Sequence, residues 1–185
     1  MGKARNPWRV KSSKVVYDNP WIRVKEHKVI HPSGEGGIYG VVHFKNIAIG
    51  VLPIDEDENV WMVGQYRFPL GRYSWEIPEG GGNRKKSVLE SAKRELKEET
   101  GLSAGRWEKL VEMDLSNSAT DEVAVVFLAR KLVRGNSSPE GSEKLRIKKV
   151  PFKKLLKEVL DGKVRDSLTV AAVLAYAVRY GGRED

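Results

Sequence analysis

At 185 residues, with a formal net charge of +8 and no cysteine, the chain is long enough for one principal hydrophobic core and a small extra module. The missing cysteines exclude a disulfide framework and any thiolate metal site. The first 20 residues are polar and basic, without the apolar centre of a secretory signal, and no run approaches the roughly 18 apolar residues of a membrane span. A cytoplasmic protein with no membrane partner is therefore expected.

The charge is unevenly spread. Residues 1–49 carry nine Lys/Arg against three acids, and residues 141–157 carry seven against one. Basic arms accompany nucleic-acid binding, but solvated Lys-rich surface is the commoner cause, and no stacking-aromatic motif supports an RNA partner here. Nucleic acid is not the expected ligand.

After a polar leader, Lys14–Tyr17 and Trp21–Ile30 read as strands split by the turn Asp18-Asn19-Pro20, and His31-Pro32-Ser33-Gly34 reverses the chain into a strand over Ile38–Phe44. So small a meander has little core of its own and needs the rest of the chain, or a second copy, to lean on. Trp8, Trp21 and Tyr39 suit either packing or a plate for a flat base. Ile47–Ile54 and Val60–Gln65 follow, joined by the acidic turn Asp55–Asn59 and read as a hairpin. Tyr66-Arg67 closes the second of them, Tyr73–Ile77 begins a third strand, and Gly80–Asn83 reads as a flexible loop able to approach a ligand closely.

The next segment carries the chemistry. Ser87 and Glu90 form an S-x-x-E capping box, so a helix is predicted from Val88, with Gly101 as its left-handed stop after Thr100. On that helix Leu89, Ala92 and Leu96 share a narrow stripe, with Glu95, Glu98 and Glu99 together beside it. Carboxylates at i, i+3 and i+4 repel by a few tenths of a kcal/mol per pair. A divalent cation reverses that sign, and an oxygen-only donor set suits Mg2+ or Mn2+ better than zinc.

Trp107–Leu115 and Val123–Val133 read as two more strands, Val123–Leu128 being apolar throughout, as a strand covered on both faces would be. Asp121 and Glu122 stand at the mouth of the second. Arg134–Lys144 reads as a surface loop and Leu145–Val150 as a basic edge strand. Pro151 opens a helix running to Asp161 and ended by Gly162, and Asp166 or Ser167 caps a helix through Tyr180, apolar nearly all round and so expected to be largely buried. Strands, helix, strands, helices, without regular β-α-β alternation, predict an α+β fold with a mixed sheet between helices.

Gly80–Leu102 resembles the signature of the Nudix hydrolases, G-x5-E-x7-R-E-U-x-E-E-x-G-U with U a bulky aliphatic residue. Gly80, Arg94, Glu95, Leu96, Glu98, Glu99, Gly101 and Leu102 match, while the first Glu of the pattern, which supports the signature Arg, falls on Lys86. Val63–Phe68, Trp75–Gly80 and the N-terminal strands resemble the branch that cleaves ADP-ribose and other nucleoside diphosphate sugars.

The resemblance implies an α/β/α sandwich with a mixed β-sheet, preceded by a small N-terminal antiparallel sheet. Residues 1–46 would be a β-strand module for homodimerisation and residues 47–185 the hydrolase domain. It further implies Mg2+, with Mn2+ as a substitute, held by Glu95, Glu98, Glu99 and the backbone carbonyl of Glu79. Arg94 would orient Glu95, Glu122 would be the general base with Asp121 as runner-up, and Arg67, Glu76, Tyr39 and Trp21 would bind substrate. The Pro that ADP-ribose hydrolases often carry beyond the signature is replaced by Asn117-Ser118-Ala119, and the Asp-x-Lys of some other nucleotide-sugar enzymes is broken by Leu168. The implied substrate class is nucleoside diphosphate sugars, ADP-ribose first, giving AMP and ribose 5-phosphate. Two alternatives stay open: a non-catalytic nucleotide-binding sensor, motivated by Lys86, and a hydrolase of RNA ends or dinucleoside polyphosphates, motivated by the basic segments.

Overall fold

A computed structural model describes residues 5–135 and 145–181, so most of the predicted surface loop Arg134–Lys144 lies outside the described residues. The described chain forms two units, one built from residues up to Asn46 with Asp114–Val123, the other from Ile47–Met113 and the residues from Ala124 onward.

The first unit is an antiparallel sheet of β1 (Arg9–Asp18), β2 (Ile22–Ile30) and β3 (Gly36–Phe44), in that order. Its turns follow from local chemistry. The Asn19 side chain accepts from Trp21 N at 2.9 Å and Ile22 N at 2.8 Å, closing the first reversal, and Gly34 supplies φ 93° in the second. Strand β1 is longer than predicted, because its polar residues pair with β2 from Arg9↔Ile30 to Asp18↔Arg23. All ten of its residues are exposed. The segment 114–123 is stitched to β3 by a parallel bridge between Val42 and Thr120 and by Val42 N donating to Ala119 O at 2.9 Å.

The second unit contains β4 (Asn46–Pro53), β5 (Asn59–Arg67), β6 (Arg72–Glu76), β7 (Glu79–Asn83), α1 (Val88–Thr100), β8 (Leu102–Leu115), β9 (Glu122–Arg134), β10 (Arg146–Pro151), α2 (Phe152–Leu160) and α3 (Ser167–Tyr180). One sheet has the order β7-β4-β9-β8, the other β10-β5-β6. Pairing is parallel between β4 and β9 but antiparallel around β5, which makes the fold the expected mixed α+β arrangement. Alternation along β4 sends Ile49 and Val51 into the cluster formed with Ala92 and Leu96 of α1, while a Cβ on Gly50 would meet Ile77 and Leu168. Burying Leu96 contributes roughly 1.5–3 kcal/mol.

Three expectations are corrected. Strands β4 and β5 do not form a hairpin: they belong to different sheets, and the connection after β4 meets β5 through the isolated bridge Ile54↔Val60. The Asp55 side chain accepts from Asp57 N and Asn59 N, folding the turn so that β4 is free to pair with β9. Gly80–Asn83 is not a loop but most of β7, hydrogen-bonded beside β4. The glycines admit this close approach, since a Cβ on Gly82 would stand 2.9 Å from Ile49. Helix α3 is buried on one side only: Leu168, Ala172, Val173 and Tyr176 are inside, while Leu174 and Val178 are exposed, the latter at 86%.

Candidate active site

Helix α1 has the ends its sequence dictates. Ser87 Oγ accepts from Glu90 N, and Gly101 adopts φ 71° and donates its N–H to Lys97 O. With Ala92 and Leu96 fully buried, the adjoining face must carry Glu95 and Glu99 inward, and both are buried, at 7% and 6% exposure, while Glu98 is half-buried.

Strand β7 runs along this face. Glu79 N donates to Glu99 Oε2 at 3.0 Å. A Cβ on Gly80 would lie 2.4 Å from the Glu95 carboxyl carbon, so any side chain here would displace that carboxylate from the β7 backbone. Arg94 donates to Glu98 Oε2 and Glu95 Oε1, and to Gly81 O at 3.0 Å. Burial opposes the guanidinium charge, but Glu95 and Glu98 outweigh it and hold Arg94 above its ordinary range. Arg94 is thus fixed by its own helix and a β7 carbonyl, and the exposed Lys86 leaves it fixed.

The donor set fits a hard divalent cation. Oxygen is the only donor type offered by Glu95, Glu98, Glu99 and the Glu79 carbonyl, and buried carboxylates need compensating charge. The α1 carboxylates are turned to different partners, Glu95 and Glu98 to Arg94 and Glu99 to the Glu79 N–H.

A second group lies in the same unit. Arg67 Nε and Nη2 donate to Glu76 Oε2 at 2.9 and 2.6 Å, and Nη2 also donates to Glu79 Oε1. Burial first, then the nearby Asp166, pushes the Glu79 carboxyl well above the usual carboxylate range. Among the described residues, Glu76, Glu79 and Asp166 each bring one oxygen within 4.8 Å of the others. In the sequence Asp166 reads as a helix cap and as the start of a broken Asp-x-Lys pattern; nothing local ties it to Glu79, 87 positions earlier.

The remaining candidates belong to the first unit. Trp21 is 67% exposed. Tyr39 is engaged, its ring edge-on to Trp8 at 5.2 Å and its hydroxyl donating to Ser118 O at 2.5 Å. Asp121 is tied to β3, its Oδ2 2.7 Å from His43 Nδ1 and its Oδ1 accepting from Phe44 N at 2.9 Å. Burial raises the Glu122 carboxyl.

Comparison with known proteins places the chain. A family model described as NUDIX domain matches residues 44–170, and one described as Nucleoside diphosphate sugar hydrolase N-terminal domain matches residues 8–42. The chain is 32% identical to an ADP-ribose pyrophosphatase of Mycobacterium tuberculosis over 96% of its own length and 87% of that protein. It is 33% identical to an ADP-ribose pyrophosphatase of Bacillus subtilis over 72% of its length and 70% of the relative. A crystal structure of an ADP compounds hydrolase superposes with a TM-score of 0.86 at 19% identity, covering 99% of each chain, which speaks for the fold. The matched segments together span both units, and the helix of buried carboxylates falls within the larger match: the chain belongs to the Nudix hydrolase family, in its ADP-ribose and nucleoside diphosphate sugar pyrophosphatase branch.

Proposed function

We propose that the chain hydrolyses the diphosphate of nucleoside diphosphate sugars in a Mg2+-dependent reaction, with ADP-ribose as its first substrate and AMP and ribose 5-phosphate as products. The observation that carries this reading is the α1 face, where Glu95 and Glu99 are buried against β7 with Glu98 beside them, in a chain whose relatives are named ADP-ribose pyrophosphatases. Glu95, Glu98, Glu99 and the Glu79 carbonyl hold Mg2+, or Mn2+ in its place, which when bound supplies charge neutralisation and electrophilic activation at the diphosphate.

Arg94 positions Glu95 and Glu98 through the contacts it makes to both. Arg67 brings its guanidinium charge to the phosphate oxygens, held in place by its bonds to Glu76 and Glu79. Glu122 takes a proton from the attacking water. Its raised carboxyl makes it a better proton acceptor than an ordinary glutamate, whereas Asp121 already spends both oxygens on β3. Water adds to phosphorus, the bond to the bridging oxygen breaks, and the leaving phosphate departs with that oxygen. Trp21 offers an exposed ring for the base, and Tyr39 belongs to the same unit.

The reading is tested with a panel of nucleoside diphosphate sugars, dinucleoside polyphosphates and capped RNA. Turnover is expected on the first class and fastest on ADP-ribose, while preference for capped RNA would replace this assignment by that of an RNA-end hydrolase.

Strand β1 also carries a proposal. It is an edge strand exposed along its whole length, with Val10, Val15, Val16 and Tyr17 each at least half exposed, and an unpaired strand edge is a template for another chain. The N-terminal strands of residues 1–46 are read as the homodimer contact. Light scattering at micromolar concentration is expected to give twice the 20.8 kDa chain mass; a monomeric mass refutes the contact.

A further inference from the structure

The Glu76, Glu79 and Asp166 trio is unexplained by the α1 site. Glu76 is 2% exposed and occupied by Arg67. Glu79 gives Oε1 to the same guanidinium, but its Oε2 is sealed from solvent and has no hydrogen-bond partner. Asp166 is held rigidly. As N-cap of α3 its Oδ2 accepts from Thr169 N at 2.7 Å and Thr169 Oγ1 at 2.8 Å, and the fully buried Thr169 hydroxyl accepts from Ile77 N at 2.9 Å. This chain of bonds fastens the start of α3 to the segment between Glu76 and Glu79, so the three acids are brought together by the scaffold despite their repulsion.

Ionised together, three carboxyl groups against one guanidinium carry two net negative charges in this corner. A buried charge left without a partner is costly, and an orphaned carboxylate oxygen beside two further acids marks where a partner belongs. A divalent cation brings the group to neutrality, and three carboxylates on fixed elements are a donor set for a hard ion. We propose that the side chains of Glu76, Glu79 and Asp166 form a second cation site, separate from the α1 carboxylates, that takes a divalent ion such as Mg2+ or Mn2+. Arg67 would keep its bonds to Glu76 and to Glu79 Oε1. The site rests on these side chains, not on the hydrolase reading.

The test counts Mn2+ bound per chain by electron paramagnetic resonance of the free ion, without nucleotide. The starting protein is Glu98→Gln/Glu99→Gln, in which the α1 site is disabled. One equivalent is expected to remain, and to be lost when Asp166→Asn is added. Asparagine caps a helix about as well as aspartate, so this variant keeps α3 while removing a charge. Glu79→Gln in the same background is expected to lose the same equivalent and checks the site without touching the cap. Addition of Mn2+ is expected to raise Tm in the starting protein but not in either derivative. No bound Mn2+ in the starting protein, or an equivalent that survives both Asp166→Asn and Glu79→Gln, overturns the site. Because no turnover is measured, either result leaves the hydrolase assignment standing or falling on its own assay.

Discussion

Glu98→Gln is expected to lower kcat/KM on ADP-ribose by about 10²–10³-fold or more, since a group that stabilises transition-state charge is worth at least that much. Glu98 is half-buried on α1 and receives an i, i+4 bond from Arg94, which an isosteric amide can still accept. The fold therefore survives, and a thermal melt close to that of the native protein separates loss of chemistry from loss of structure. Glu99→Gln carries the same expectation for rate. It adds a structural term, because the Glu99 carboxylate also receives the Glu79 N–H.

Glu122→Gln is expected to cost about 10²–10⁴-fold in kcat, the range for loss of a general base. The pH profile adds a second readout. Burial raises this carboxyl above its ordinary value of 4.5, so at low pH the base is protonated and unable to take a proton from water. As pH rises through the raised value, activity is gained. An acid limb lying above the ordinary carboxylate range is expected in the native enzyme and is expected to vanish in Glu122→Gln. A limb that survives in that variant but disappears in Asp121→Asn would transfer the role to Asp121, against the contacts that bind Asp121 to β3.

Much of the fold was legible because its determinants are local. The stripe Leu89, Ala92, Leu96, the cap at Ser87 and the stop at Gly101 all lie within one helix, and α1 runs over the predicted residues. The apolar run Val123–Leu128 likewise announces a covered strand, and in β9 its Ala124–Leu128 part is buried and parallel to β4. What failed depended on partners far away in sequence. Glycines carry little strand propensity, so β7 is decided by its place beside β4. The short acidic turn after β4 suits a hairpin, yet pairing goes to β9, with Ala48 opposite Ala124. For α3, composition alone does not reveal which side the sheet leaves uncovered.

The candidate site divides along the same line. Glu95, Glu98 and Glu99 are grouped by helical period alone, whereas the carbonyl that fixes Arg94 is a backbone atom of Gly81, which no side-chain pattern encodes. The tie from Asp166 through Thr169 to Ile77 joins residues 92 positions apart and is equally silent in the sequence.

The central claim, a metal-dependent nucleoside diphosphate sugar hydrolase, is tested most directly by incubating the purified chain with ADP-ribose and quantifying products with and without Mg2+. One AMP and one ribose 5-phosphate are expected per ADP-ribose consumed, with turnover abolished by EDTA and restored by Mg2+. Absence of turnover in Mg2+ on ADP-ribose and every other nucleoside diphosphate sugar tried would contradict it.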